Sequence, residues 1–284
     1  MHRTLVQPRL VGLAVIVVAV LGGVGYAAAG NAYARTHIAF ADRTLGAVLS
    51  HQSALNATFS AINTQLGTLN SNPYFKPQEA VALVDKSVAD SQLATTTINA
   101  DDASLAAAGN GLDLNRWLTV TGRSNLDQEA SRIGHARNAL AAARTVAGDK
   151  VLEGGFWHYL YTGLGDLAPL DAQVSTGNLS AARTALATMK ADIDQAAARS
   201  SAPPLPSDLA SMMKDLQTFV TDYGKQLDAQ IAGDDASVAS YQSSVQADLI
   251  KVGQYDIAAI GAKIDAYYKP LIDRFNTEIT AATS

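Results

Sequence analysis

An uncharged apolar segment near the start of the chain constrains the fold more than any other feature. Residues 10–30 (LVGLAVIVVAVLGGVGYAAAG) carry no charge and have the length of roughly 20 residues that a helix needs to cross a bilayer. A second helical pattern follows over 34–70, where apolar residues recur every three or four positions and only Gln52 interrupts them. These apolar residues are Ile38, Ala41, Leu45, Val48, Leu55, Phe59, Ile62, Leu66 and Leu69. A seam this long predicts a helix that packs against other helices.

The N-terminal segment has two interpretations, and both place the rest of the chain outside the cytoplasm. Arg3 and Arg9 precede the apolar run and no acidic residue does, which by the positive-inside rule keeps the N-terminus cytoplasmic. In one interpretation, 10–30 is a permanent signal anchor that spans the membrane once. In the other, residues 1–34 are a signal peptide cleaved after Ala34, at an A-x-A site, and the mature protein is secreted.

The composition favours an all-α protein and argues against several other classes. Hydrophobic residues make up 48% of the 284 residues but aromatic residues only 6%, because much of the apolar content is alanine, a strong helix former. The net charge of −5 is the opposite of what neutralising nucleic-acid phosphates requires, so we expect no nucleic-acid partner. The chain has no cysteine, which excludes disulfides and thiolate metal sites.

The order of apolar runs and turns predicts the domain organisation. We expect a long helical hairpin over 35–108, an ordered loop over 109–123 and a helical bundle over 124–284. The predicted architecture is an elongated antiparallel bundle of long helices that follows the N-terminal membrane or signal helix. Because the first exported helix and the last helix are both long, we expect them to pack together.

Glycine, proline, asparagine and aspartate predict where the helices end. We expect a bend or break near 99–101 and a stop and restart after Gly148. The next helix, 149–176, contains four glycines and a proline, which predicts that it kinks or splits. The last helix is expected to run from 235 to about 281, with Pro270 either kinking it or leaving one carbonyl free.

Two segments resemble each other at an offset of 57 residues. Residues 170–193 and 227–250 both begin with LDAQ, continue through a glycine and an Asn or Asp, and end with similar acidic and aliphatic residues. Duplication of a helical hairpin would explain the match. The alternative is that tight turns between helices draw on the same residue types, but the matching segments on both sides of the turn favour duplication.

The sequence FWHYLY at 156–161 is the best candidate for a binding site. Five of its six side chains carry rings: Phe156, Trp157, His158, Tyr159 and Tyr161. A helix presents only one stripe to a core, so some of these rings must be exposed, line a pocket or lie at a junction between bundles. The functional interpretation is a patch that recognises a partner, a peptide, a glycan or a membrane surface, and the structural one is a core junction between two bundles.

The sequence shows no arrangement typical of catalysis or metal binding. The five histidines form neither H-x-x-x-H nor H-E-x-x-H, and no nucleophile elbow, P-loop or dinucleotide-binding glycine pattern occurs. We interpret the pairs Asp101–Asp102 and Asp234–Asp235 as helix N-caps rather than calcium ligands. We therefore expect no catalytic residue, no metal site and no cofactor.

The export signal and the helical seams favour a non-enzymatic, extracytoplasmic interaction or sensing module of a bacterial envelope. The expected partners are another protein or a second copy of the chain, and the membrane if 10–30 is retained. One alternative is a helical carrier that holds a small ligand in a pocket near 156–161. A further alternative is an envelope hydrolase whose site the sequence does not reveal.

Overall fold

The computed structural model describes residues 36–53, 57, 76–113 and 123–284. Every regular element in these ranges is an α-helix, which confirms the all-α prediction. The apolar segment 10–30 lies outside the described residues. In the part of the chain that is described, no helix combines the length and the apolar character needed to cross a membrane.

Eight helices follow one another along the described chain. The first, α1, comprises residues 36–53. The others are α2 (Pro77–Asp113), α3 (Arg123–Gly165), α4 (Leu167–Ser175), α5 (Leu179–Arg199), α6 (Ser207–Ala232), α7 (Asp235–Val252) and α8 (Ile257–Thr283). Residues 109–113 of the predicted loop therefore belong to α2, and 114–122 lie outside the described residues.

The chain forms two compact units. The described residues of the first unit come from α1, from 94–145 and from 270–284. The second unit contains 76–93 and 146–269. Helices α2, α3 and α8 thus contribute residues to both units.

The predicted seam of α1 is confirmed over the residues that are described. Ala41, Leu45 and Val48 are at most 2% exposed. Gln52 occupies the next seam position and is also buried, and its side-chain amide lies 3.4 Å from the Asp101 carboxylate of α2. The one polar residue in the seam is therefore part of the core, where a carboxylate accepts its hydrogen bond.

In the first unit, α1 and α8 pack together against α3. We expected the first and the last helix to pack together. Leu49 of α1 packs against a buried cluster formed by Ala139 and Ala142 of α3 and by Phe275 and Ile279 of α8. This shared apolar cluster excludes water from three helices at once.

The core of the second unit is built by consecutive helices that pack on one another, with α4 against α5, α5 against α6 and α6 against α7. Apolar residues of α4, α5 and α6 recur at helical spacing and supply buried side chains, and α3 adds Phe156. The largest fully buried side chains of this unit are Phe156, Leu170, Leu186, Met189, Ile193, Leu209 and Met213.

The break predicted near 99–101 is wrong, because α2 continues to Asp113. The two aspartates at this point make contacts to other helices instead of capping a new one. Asp101 is buried and lies 2.9 Å from Nδ1 of His51, and Asp102 accepts hydrogen bonds from Arg137 and Arg144. The N-cap interpretation of Asp101 and Asp102 is therefore wrong too.

The stop predicted after Gly148 is also wrong, since α3 runs on to Gly165. Gly148 lacks the positive φ that ends a helix at a glycine, which among the described glycines only Gly177 and Gly233 adopt. The predicted split within 149–176 lies at Asp166, between α3 and α4. Pro169 then lies in the first turn of α4, where its missing N–H leaves no helical hydrogen bond unmade.

The last predicted helix is two helices, separated by residues 253–256. Asp256 starts the second of them, because its side chain accepts a hydrogen bond of 2.9 Å from the Ala259 N–H. α8 then continues through Pro270.

The two similar segments form the same turn. Gly177 and Gly233 end their helices at φ 73° and 69°, and the side chains of Asn178 and Asp234 cap α5 and α7. These turns are 56 residues apart, one fewer than the LDAQ starts. The capping role predicted for Asp234 is confirmed, whereas duplication stays a prediction.

Candidate functional site

The residues of 156–161 divide between the core and the surface of the second unit. Phe156 is completely buried, whereas Trp157, His158, Tyr159 and Tyr161 are each intermediate in exposure. We call these four half-buried side chains the α3 ring surface. Phe156 fixes this part of α3 in the core, and the helix then presents the other rings on its remaining faces.

Two rings of the α3 ring surface stack one helical turn apart. The centroids of Trp157 and Tyr161 are 5.5 Å apart with an interplanar angle of 24°, and the rings of Phe156 and Trp157 meet at 74° with their centroids 5.0 Å apart. Burial and the negative charge of Glu153 raise the pKa of Tyr161 to about 12. Tyr161 therefore keeps its proton at neutral pH and can donate a hydrogen bond.

His158 faces carboxylates of two other helices. Its Nδ1 lies 2.6 Å from Oδ1 of Asp85 in α2, a side chain that is 54% exposed. Burial raises the pKa of Asp192 in α5, and the charge of His158 opposes that shift. Burial raises the pKa of Asp166 as well, with a further contribution from Asp192. This side of the α3 ring surface is thus acidic.

Tyr159 contacts a cation. The Arg199 guanidinium of α5 lies 4.4 Å from the centroid of its ring, within the range of a cation–π interaction. The His158 ring meets Tyr159 edge-on at 5.0 Å. Each ring of the surface is thus held by at least one neighbour, which limits its rotamers.

Two glycines let neighbouring helices approach α3 at this site. A Cβ at Gly154 would overlap Cγ2 of Val88 in α2, and one at Gly163 would lie 3.2 Å from Cδ1 of Ile193 in α5. These faces of α3 are filled by Val88 and Ile193, so the rings are presented from a closely packed helix.

A polar cluster separate from the α3 ring surface lies earlier on α3. It includes two adjacent tyrosines of α8, Tyr267 and Tyr268. Tyr268 is buried and its hydroxyl donates to Glu153 at 2.9 Å, while Lys150 contacts both the Glu153 carboxylate and the Tyr268 ring. The more exposed Tyr267 donates to Asp149 at 2.9 Å. These partners satisfy both tyrosines, so the pair is part of the structure of the second unit.

Sequence reasoning missed the residues that surround the rings. Asp85 is 73 positions from His158, and no local pattern identifies it or Arg199 as a neighbour. The same holds for the carboxylates beside His51 and His135, which are Asp101 at 2.9 Å and Glu278 at 2.7 Å. Within the described ranges, no three side chains of the metal-binding types converge.

The chain matches none of the protein families, curated proteins or solved structures with which it was compared. The α3 ring surface offers stacked aromatic faces and an acidic side that carries one histidine, which are groups suited to binding another molecule.

Proposed function

We propose that the chain is a non-enzymatic, extracytoplasmic interaction or sensing module of a bacterial envelope. It binds a protein partner through the α3 ring surface. One observation carries the proposal: four ring side chains stay partly exposed on a helix that Phe156 anchors in the core. Large aromatic side chains that are already ordered supply contact area at a low entropic cost, which is why they are enriched in binding hot spots.

The charges around the rings favour a partner with basic groups. Asp85 is more than half exposed, and Asp192 interacts electrostatically with His158 and with Asp166. A lysine or arginine of the partner would interact favourably with this side and would leave the Trp157–Tyr161 stack for apolar contact.

The proposed location rests on the N-terminal sequence. Residues 10–30 either anchor the chain with its N-terminus inside or direct secretion and are cleaved after Ala34.

The two alternatives have less support. A ligand carrier needs space beside the rings, and the faces of α3 at Gly154 and Gly163 are occupied by Val88 and Ile193. A hydrolase would need a nucleophile next to the His158–Asp85 pair. Both hypotheses stay predictions.

Affinity capture from envelope extract tests the proposal. Trp157→Ala and Tyr161→Ala should weaken binding of the recovered partner roughly 30-fold each, which corresponds to about 2 kcal/mol and is typical of an aromatic hot spot. Leu152→Ala is the matched control, because it removes a 47% exposed apolar side chain from the same helix. Unchanged binding by folded Trp157→Ala and Tyr161→Ala variants would refute the proposal.

A further inference from the structure

The imidazole of His158 lies within the α3 ring surface and faces carboxylates from other parts of the second unit. Its Nδ1 is 2.6 Å from Oδ1 of Asp85 in α2. Its charge also acts on Asp192 of α5, and Asp192 interacts in turn with Asp166 in the turn between α3 and α4. Three separate elements thus place a carboxylate in the electrostatic environment of one histidine.

The charges of these carboxylates are only partly compensated. Among the described residues, His158 is the basic side chain that interacts with Asp85 and Asp192, and the buried Oδ2 of Asp166 has no hydrogen-bond partner. The guanidinium of Arg199 in α5 lies over the Tyr159 ring instead and donates to Gln195 in its own helix. The acidic side therefore has room for further positive charge, either a proton on His158 or a cation of a partner.

The short contact with Asp85 determines which imidazole nitrogen titrates. An ionised carboxylate only accepts hydrogen bonds, so Nδ1 of His158 carries the hydrogen of this contact. The neutral ring then has an unprotonated Nε2, and the ring becomes charged when Nε2 takes up a proton. Because the His158 side chain is 34% exposed, solvent reaches the ring without any opening of the core.

We propose that His158 makes the binding of a basic partner to the α3 ring surface pH-dependent, because the neutral imidazole favours binding and the imidazolium opposes it. This pH dependence rests on the proposed function, since it requires a lysine or arginine of the partner to lie beside Asp85. Histidine is the side chain whose charge ordinarily changes between about pH 5 and about pH 8. A proton on His158 and a cation of the partner therefore compete for the same carboxylates.

The competition has a definite sign and an expected size. An imidazolium repels a neighbouring cation and already compensates Asp85, so acidification weakens the binding of a lysine side chain. Two like charges a few ångström apart at a solvated surface change an affinity by about fivefold. Burial raises the pKa values of Asp192 and Asp166, and their protonation would weaken binding as well. A substitution at His158 that leaves both aspartates in place separates the two effects.

Peptide binding to the full chain, purified in mild detergent, tests this role of His158. The probe is a rhodamine-labelled peptide of alternating lysine and leucine, whose affinity is measured by fluorescence anisotropy between about pH 8 and about pH 5.5. Wild type should bind the peptide about fivefold more weakly at the lower pH. His158→Gln should lose most of this difference, because glutamine can still donate to Asp85 but carries no charge.

Two controls accompany the measurement. His135→Gln should behave as wild type, because His135 also contacts a carboxylate, Glu278 at 2.7 Å, but lies in the first unit. A peptide with glutamate in place of lysine should bind more weakly than the lysine peptide at about pH 8, because like charges repel. Circular dichroism at each pH verifies that the variants stay folded.

The possible results distinguish pH control by His158 from partner binding itself. Equal pH dependence in wild type and His158→Gln, loss of the difference in His135→Gln, or tighter binding of the lysine peptide at the lower pH would overturn control by His158 and leave the partner site standing. If the lysine peptide binds at no pH, or binds equally well to folded Trp157→Ala, a basic partner at the α3 ring surface is refuted and its pH control with it.

Discussion

At the scale of single residues, Glu129 shows how far the folded chain departs from what its sequence indicates. An acidic residue in the first turns of a helix is expected to lie in solvent and to interact favourably with the helix dipole. The Glu129 side chain is instead buried, with only 5% of it exposed. Its Oε2 accepts a hydrogen bond of 2.8 Å from Arg132, and its Oε1 has no hydrogen-bond partner among the described residues. Arg132 also donates to Asp42 and to the Ala282 carbonyl.

Burial raises the pKa of Glu129 above its ordinary value, although the charge of Arg132 opposes the shift. A raised pKa in the folded state means that this group stabilises the fold below its unfolded pKa and loses that contribution as the pH rises through the folded pKa. Glu129→Gln should therefore gain stability relative to wild type as the pH rises from the unfolded pKa of a glutamate, about 4.3, through the raised folded pKa of Glu129.

Urea unfolding at several pH values measures this difference. Glu79→Gln is the matched control, because the Glu79 side chain is 53% exposed, and its stability relative to wild type should change much less with pH. A Glu129→Gln difference that is flat with pH, or that falls as the pH rises, would show that burial does not govern this carboxyl.

At the scale of helices, the glycines of α3 predict opposite effects of the same substitution. Gly148→Ala meets no atom within 4 Å and should raise the free energy of unfolding by about 0.5–1 kcal/mol, because alanine is the better helix former. Gly154→Ala would overlap Val88, a β-branched side chain with little rotamer freedom in a helix. The overlap outweighs the gain in helix propensity, so we expect a net loss of about 1–2 kcal/mol.

Thermal and urea unfolding of the two variants check the prediction. Equal stabilisation by both substitutions would contradict the close approach of α2 to α3 at Gly154.

Helix positions were predictable where a local signal decides them, and unpredictable where a distant side chain does. The stops at Gly177 and Gly233 follow from glycine and a capping residue that are adjacent in sequence. The sequence did not predict that α2 continues through 99–101, because the partners of its two aspartates, His51 and Arg137, lie in other helices. Likewise the ring content of 156–161 was evident from the sequence, but the choice of Phe156 as the buried ring and the neighbours Asp85 and Arg199 were not.

At the scale of the molecule, the described residues divide into two compact units, and the proposed partner site lies entirely on the second. The α3 ring surface is aromatic with an acidic side, which fits a basic protein partner.

Photo-crosslinking in intact cells tests most directly whether the α3 ring surface binds a partner outside the cytoplasm. A photoreactive phenylalanine analogue at Trp157 of the full chain should give a cross-linked adduct recovered with the envelope or the extracellular fraction. The same analogue at Leu152, an exposed position of the same helix, should give none. An adduct of equal yield at both positions, adducts confined to the cytoplasm, or none from a folded Trp157 variant would contradict the proposed function.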